Sequence, residues 1–269
     1  MPRVKLLDPL VANQIAAGEV VERPASVVKE LVENSLDAGA KQIRLEIVQG
    51  GAKSIVVSDD GVGIQKEDME LAMSRHATSK IKSAEDLFEI GDFGFRGEAL
   101  ASIASVSRFT ICSKVADSDI GWELIMEGGR LISFKPSSQN IGTVVKVEDL
   151  FFNTPVRRKF LKAERTENRQ IENAMLRLSL SNLDVGFALW GTTSKEKILA
   201  PNYTQDRLKL AFSGDFMNES IYVDSEIDGL ALKGWIGLPN LNRRWADQQF
   251  FCVNGRPVRD KLIGHAVKQ

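Results

Sequence analysis

The sequence predicts an α/β protein, because segments with helical periodicity alternate with segments typical of strands. Apolar residues recur three to four positions apart within 24–37 and 164–180, which is the spacing of one helical face. Apolar and polar residues alternate within 43–47 and 54–58, and strand-like sequence dominates 108–147. The 269 residues are 43% hydrophobic and 26% charged, which is typical of a globular protein and excludes disordered, collagen-like and disulfide-rich chains.

The first predicted helix has a recognisable start, a buried face and a stop. Proline suits the first turn of a helix, so the helix is expected to begin at Pro24. Val28, Leu31 and Val32 have the spacing of residues that face a core together. Gly39 is typical of the residue that ends a helix in the left-handed conformation.

Two strands joined by a turn are predicted next. The alternation within 43–47 indicates a strand with one buried face, and Gly50 and Gly51 supply the turn. The second strand, at 54–58, stops at the sequence Asp59-Asp60-Gly61-Val62-Gly63, which has the pattern D-x-G-x-G.

The rest of the chain is expected to continue the alternation. In order, the sequence indicates a helix at 66–73, a long polar loop at 74–97, a helix at 98–105, strands over 108–147, a helix at 164–180, short strands after 183 and a mixture of both towards the end. A loop as long as 74–97 is usually a functional lid. A junction at 201–204 separates two predicted domains, 1–203 and 204–269. Residues 263–267 have the pattern of a beginning helix, so the chain is expected to be a fragment.

Charge, cysteine content and missing motifs narrow the class of protein. The formal net charge is −1, and Cys112 and Cys252 lie far apart, which favours a reduced intracellular protein and argues against a compact zinc site. The sequence shows no secretory leader, no membrane-spanning apolar run and no Walker A loop. Basic residues cluster within 157–169 and 240–269, where they suit either nucleic acid or solvated surface.

Glu30 and Asn34 are the first candidate site residues. They are four positions apart, so they lie one turn apart on the same side of the predicted helix, at the edge of its apolar stripe. A carboxylate at such an edge can serve as a general base, and an amide oxygen can bind Mg²⁺. The same pair taken alone also fits a solvated polar edge.

Two glycine-rich segments are further candidates. In the D-x-G-x-G turn, Asp59 could accept a hydrogen bond from an exocyclic amine such as that of adenine, although a plain polar turn fits as well. In residues 91–100, glycines at three-residue spacing lead directly into a helix, whose free N–H groups suit a phosphate. Arg96 adds a positive charge there, and residues 77–81 of the same loop supply hydroxyl groups and a lysine.

In this order the features resemble the N-terminal ATPase region of the MutL family of DNA mismatch-repair proteins. The resemblance is carried by residues 15–24, 30–39, 59–63, 75–81, 94–102, 151–160 and 253–256, and it extends over essentially the whole chain. The D-x-G-x-G turn alone would indicate only the wider GHKL superfamily, which also contains gyrase, the Hsp90 chaperones and histidine kinases. A gyrase-like or chaperone-like ATPase is therefore the alternative within the superfamily.

The resemblance implies a fold and a division into domains. It implies a two-layer GHKL-type (Bergerat) ATPase sandwich with a mixed sheet over 1–203. It implies a partial ribosomal-protein-S5-like α/β domain over 204–269.

The resemblance also implies roles for individual residues. Glu30 would be the catalytic general base, Asn34 would bind Mg²⁺, and Asp59 would bind the adenine amino group of ATP. The other residues implied to surround the nucleotide are Gly61, Gly63, Thr78, Ser79, Lys80, Phe95, Arg96, Gly97, Glu98 and Thr143. Contact with DNA is implied for Arg256, Arg259 and Lys261.

At the level of function, the resemblance implies a Mg²⁺-dependent ATPase that dimerises on ATP binding and couples mismatch recognition to repair. The implied partners are DNA, a MutS-type mismatch recognition protein, a downstream nuclease or helicase, and a second copy of the ATPase region, with no membrane partner. The implied location is the bacterial cytoplasm, associated with the nucleoid. The alternative from another class is a non-enzymatic DNA-binding or scaffold module that uses ATP only as a structural switch, or not at all.

Two departures from the family pattern bear on these expectations. Asp60 stands where many relatives carry asparagine, which is expected to add negative charge near the adenine end. The family also uses a lysine that follows a His-Pro pair to contact the terminal phosphate, and this motif does not occur in the sequence. The chain is therefore expected to bind ATP but to hydrolyse it weakly.

Overall fold

The computed structural model describes residues 14, 17–18, 20–74, 77, 97–191, 196–202, 204–212, 214–239, 249–258 and 260–267. Within them, eight strands form one sheet: β1 (Gln42–Val48), β2 (Ser54–Asp59), β3 (Arg108–Lys114), β4 (Gly121–Glu127), β5 (Arg130–Ser137), β6 (Gly142–Glu148), β7 (Gly186–Trp190) and β8 (Lys197–Leu199). Their order across the sheet is β5-β4-β3-β6-β2-β1-β7-β8. β1 and β7 are parallel and the other neighbouring strands are antiparallel, so the sheet is mixed, as predicted.

Helices and two short hairpins complete the described fold. The helices are α1 (Pro24–Asp37), α2 (Lys66–Ala72), α3 (Ala99–Ser105), α4 (Pro155–Lys159), α5 (Glu164–Ser181), α6 (Thr204–Ala211) and α7 (Lys261–Ala266), with single 3₁₀ turns at Gln49–Gly51 and Gly214–Met217. The hairpins pair β9 (Ser220–Ile227) with β10 (Leu230–Gly237), and β11 (Phe251–Val253) with β12 (Arg256–Val258).

The large sheet and its helices form two layers. In β1 the three apolar side chains at 43, 45 and 47 are buried, whereas the residues between them are exposed. α1 and α5 contact each other and contribute their apolar stripes, including Val28, Leu31, Ile171 and Met175, to the same core. A sheet with one buried face and one solvated face therefore packs under a single layer of helices.

Most predicted elements are found close to their expected bounds. α1 begins at Pro24 and is followed by Gly39, whose φ of +72° is left-handed as predicted. Gly50 and Gly51 belong to a 3₁₀ turn and also have positive φ. α4 was not predicted, although Pro155 at a first helical position is a recognised start signal. The predicted loop at 74–97 lies largely outside the described residues, and the division at 203/204 stays a prediction.

Arg207 on α6 joins three parts of the fold through its buried guanidinium group. The side chain is fully buried and donates to the carbonyl oxygens of Ser179, Asn182, Val185, Leu199 and Ala200. Burial lowers the pKa of Arg207, and the charge of Asp184 only partly opposes this effect. The guanidinium group therefore links α6 to the end of α5 and to the residue after β8.

We expect Arg207→Met to lower the free energy of unfolding by about 3 kcal/mol or more, because it leaves several buried carbonyl oxygens without a donor. Urea unfolding measures the change. The matched control on the same helix is Lys209→Met, since Lys209 is exposed and pairs only loosely with Asp206 at 3.6 Å. The control should change stability by no more than about 0.5 kcal/mol. Equal effects of the two substitutions would contradict the structural role of Arg207.

Candidate functional site

α1 carries the two candidate residues that the sequence predicts to act together. Its apolar stripe is buried, and this packing fixes the helix against the sheet. The side chain of Glu30 is 26% exposed, and Asn34 is half-buried one turn later. Both lie at the border between core and solvent, as predicted, and their roles in catalysis and metal binding stay predictions.

Asp59, at the end of β2, is held by donors from three elements. Its Oδ2 accepts a hydrogen bond from Ser35 Oγ of α1 at 2.7 Å, and its Oδ1 accepts one from the Gly61 N–H at 3.0 Å. The backbone N–H of Thr143, on β6, donates as well. Burial raises the pKa of Asp59, and these hydrogen bonds oppose that shift without cancelling it. The carboxylate is thus a fixed, partly desolvated acceptor.

The D-x-G-x-G turn is packed between the end of α1 and the end of β3. The Val62 N–H donates to the Ala38 carbonyl at 3.0 Å. A Cβ on Gly61 would lie 2.8 Å from that carbonyl oxygen, and a Cβ on Gly63 would lie 2.2 Å from the Lys114 carbonyl oxygen. Gly63 also has a φ of +77°. Close backbone packing therefore accounts for both glycines, and their contact with a nucleotide stays a prediction.

Thr143 and Ser113 connect this turn to the interior. Thr143 Oγ1 lies 2.9 Å from Ser113 Oγ, which donates to the Gly142 carbonyl at 3.1 Å. Ser113 Oγ also accepts from the Ile64 N–H at 2.8 Å. Neither Ser113 nor Ser35 is among the site residues predicted from the sequence. The available signal was a hydroxyl group at a core-facing position of an apolar pattern.

Asp60 has a different environment from the one expected. Its Oδ1 accepts hydrogen bonds from the N–H groups of Lys41 and Gln42, at 2.7 and 2.8 Å. The residue is exposed, and these bonds direct that oxygen towards the start of β1. An asparagine oxygen could accept the same two bonds, so the departure from the family pattern preserves this contact.

The predicted phosphate-binding and lid residues are described only in part. Thr78, Ser79, Lys80, Phe95 and Arg96 lie outside the described residues. Of the remaining two, Gly97 has a φ of +61°, and Glu98 immediately precedes α3, which contacts α1. A Cβ on Gly97 would lie 2.4 Å from the Ala77 carbonyl oxygen, so residues 77 and 97 are in contact.

Two of the three predicted DNA-contacting residues, Arg256 and Lys261, lie on elements outside the large sheet. Arg256 begins β12, but its side chain and all of Arg259 are outside the described part of the chain. Lys261 is the exposed first residue of α7, whose start is capped by Asp260. β12 packs against α5, and neither Arg256 nor Lys261 belongs to the large sheet.

The described residues contain neither a cluster of metal-binding side chains nor a membrane-spanning helix. In those ranges no group of three or more His, Cys, Asp or Glu side chains is placed to hold a metal ion. None of the helices described is both long enough and apolar enough to cross a membrane.

Comparison with known families gives two matches along the chain. Residues 22–127 match the family described as histidine kinase-, DNA gyrase B- and HSP90-like ATPase. Residues 208–269 match the family described as DNA mismatch repair protein, C-terminal domain.

Individual relatives cover nearly the whole chain. The DNA mismatch repair protein MutL of Pseudomonas fluorescens is 49% identical over 99% of this chain, and that of Pseudomonas putida strain GB-1 is 50% identical over the same share. The chain spans 43% of the length of each of these curated relatives. Among solved structures, the Aquifex aeolicus MutL ATPase domain complexed with ADP has a TM-score of 0.68 and 32% identity, covering 93% of this chain and 88% of that one.

Proposed function

This chain belongs to the MutL family of DNA mismatch-repair proteins and contains a GHKL-type ATPase domain, and we propose that it binds ATP with Mg²⁺ and hydrolyses it weakly. The observation that carries the proposal is the fixed carboxylate of Asp59 at the end of β2. The solved relative bound to ADP supports a nucleotide as the ligand.

The donors around Asp59 fit recognition of an amine. An ionised carboxylate has roughly four acceptor positions. Ser35, Gly61 and Thr143 supply three donors, so about one position is left for the exocyclic amine of adenine. Because the other donors fix the carboxylate, it is already oriented before a ligand arrives.

α1 would supply the groups around the phosphates. Mg²⁺ commonly takes one or two protein oxygen ligands together with phosphate oxygens and water, and the side-chain oxygen of Asn34 fits that role. When bound, the metal ion neutralises the charge that develops on the phosphates. Glu30, one turn earlier and partly exposed, would orient the attacking water and accept its proton.

The loop at 74–97 is proposed to form a lid over the nucleotide, and Thr78, Ser79 and Lys80 would belong to this lid. The contact between residues 77 and 97 supports this assignment, because it brings the two ends of the segment together. Phe95, Arg96, Gly97 and Glu98, which precede α3, would then present backbone N–H groups to the phosphates.

The proposal extends to the role of the protein in repair. ATP binding would drive dimerisation of the ATPase region, and Arg256, Arg259 and Lys261 would contact the phosphates of DNA. The protein would then couple a MutS-type mismatch recognition protein to a downstream nuclease or helicase, in association with the bacterial nucleoid. The domains would be 1–203 and 204–269.

Sedimentation velocity tests binding and assembly together. With Mg²⁺ and a non-hydrolysable ATP analogue, the chain should sediment as a dimer, and without nucleotide it should not. Calorimetry under the same conditions reports binding alone. Absence of calorimetric binding would contradict the ATP site, whereas saturable binding without dimers would contradict only ATP-dependent dimerisation. Dimers that release no phosphate from ATP would favour the ATP-switched scaffold.

A further inference from the structure

Lys29 lies between two carboxylates of α1. Its Nζ is 3.2 Å from Oε1 of Glu30 and 2.7 Å from Oε2 of Glu33. One ammonium group, which has three donors, therefore contacts the proposed general base and a second carboxylate at the same time.

The two carboxylates differ in exposure. The Glu33 side chain is 7% exposed, against 26% for Glu30, and Glu33 is one turn after Lys29 in an i, i+4 pair. Burial raises the pKa of Glu33, and the nearby ammonium of Lys29 opposes this shift. Burial also lowers the pKa of Lys29, but attraction to Glu30 and Glu33 outweighs that effect and leaves its pKa raised. Glu33 is thus the more buried of the two carboxylates and the one that holds the Lys29 ammonium in place.

We propose that Lys29, anchored by the buried Glu33, is a positioning residue for the Glu30 carboxylate. Its ammonium group occupies Oε1 of Glu30 and restricts rotation of that side chain, which leaves Oε2 available to the attacking water. The inference rests on the proposed function of Glu30. An ion pair of a half-exposed lysine at the surface contributes little to stability. Here, however, the buried carboxylate of Glu33 holds the Lys29 ammonium in a defined position.

Steady-state ATPase kinetics test the positioning role. Lys29→Met should lower kcat by about 10- to 100-fold, because misplacing a reacting group by roughly 1 Å has an effect of this size. KM for ATP and the calorimetric affinity should stay unchanged, since Lys29 is assigned no contact with the nucleotide. Lys29→Arg should restore most of the lost kcat, because a guanidinium group also has donors for both carboxylates. The control is Lys135→Met. Lys135 is an exposed lysine on β5, and it pairs with Glu123 of β4 at 3.1 Å.

Several kinetic outcomes would overturn the inference. One is an unchanged or higher kcat for Lys29→Met. Another is a higher KM for ATP with kcat unchanged. The third is a kcat for Lys29→Arg that is as low as that for Lys29→Met. If Glu30→Ala abolishes turnover while Lys29→Met has no effect, the proposed function stands and the positioning role fails. If the wild-type chain releases no phosphate from ATP, the proposed ATPase function fails.

The anchor can be tested without any turnover. Urea unfolding of Lys29→Met, Glu33→Gln and the double variant forms a double-mutant cycle. The shifts in the urea midpoint should be clearly non-additive if the ammonium and the buried carboxylate depend on each other. Additive shifts would overturn the anchoring of Lys29 by Glu33, whatever the ATPase assay shows.

Discussion

Glu30→Ala is expected to slow ATP hydrolysis by about 10²–10⁴-fold, the usual contribution of a general base, while nucleotide affinity stays the same. The effect falls on turnover because Glu30 would act on the attacking water and not on the bound nucleotide. It lies at the partly exposed edge of α1, where a water molecule can reach it. Single-turnover phosphate release measures the chemical step, and calorimetry measures affinity separately.

Two variants make the result for Glu30 specific. Glu30→Gln keeps the size of the side chain but cannot accept the proton, so it should be nearly as slow as the alanine variant. Glu70→Ala removes an exposed carboxylate from α2 and should leave turnover as it is. If Glu30→Ala and Glu70→Ala hydrolyse ATP equally fast, Glu30 is not the general base.

Asp59→Asn is expected to weaken ATP binding by about 100-fold, because a hydrogen bond to a charged group contributes roughly 1.5–3 kcal/mol. The fold should survive this change. The asparagine oxygen can accept from the Gly61 N–H. Its amide can donate to Ser35 Oγ, whose hydroxyl can then turn from residue 59 and donate to the Leu31 carbonyl, 3.2 Å away. The lost acceptor is then the one proposed for adenine.

The pKa of Asp59 determines how stability should respond to this substitution. Because burial raises the pKa in the folded state, the folded protein binds this proton more tightly than the unfolded chain. The contribution of Asp59 to stability is therefore greatest below its unfolded pKa of about 4 and decreases as the pH rises through the folded value. Asparagine lacks this dependence, so at neutral pH Asp59→Asn should unfold at the same or a higher urea concentration than wild type.

Asp60→Asn is the matched control for Asp59→Asn. It changes the neighbouring residue in the same way but keeps an acceptor for the N–H groups of Lys41 and Gln42. It should therefore bind ATP with wild-type affinity. Equal calorimetric affinities for the two asparagine variants would exclude Asp59 as the residue that binds adenine.

Local patterns in the sequence were sufficient to predict the helix and the strand end that carry the candidate site residues. The apolar stripe and the terminal signals of α1 predict its bounds, and the four-residue spacing predicts that Glu30 and Asn34 lie on one side of it. The end of β2 at the D-x-G-x-G turn follows from a strand pattern that meets glycines. These properties depend on residues close together in the chain, which is why sequence spacing predicts them.

Contacts between distant segments could not be predicted in the same way. The bond from Ser35 to Asp59 depends on how α1 lies over β2, and the pair of Ser113 and Thr143 depends on β3 and β6 being neighbours in the sheet. The burial of Arg207 also has no local signal in the sequence, because an arginine in a polar segment is normally exposed. Tertiary packing supplies the missing information in each case.

α1 and the end of β2 are proposed to form one ATP pocket. A crystal structure of the chain with Mg²⁺ and a non-hydrolysable ATP analogue tests it most directly. In that structure the adenine amino group should be hydrogen-bonded to the Asp59 carboxylate and the metal ion should be bound to the side-chain oxygen of Asn34, with Glu30 facing the terminal phosphate. A nucleotide bound with its base away from Asp59, or with its metal ion away from α1, would contradict the account.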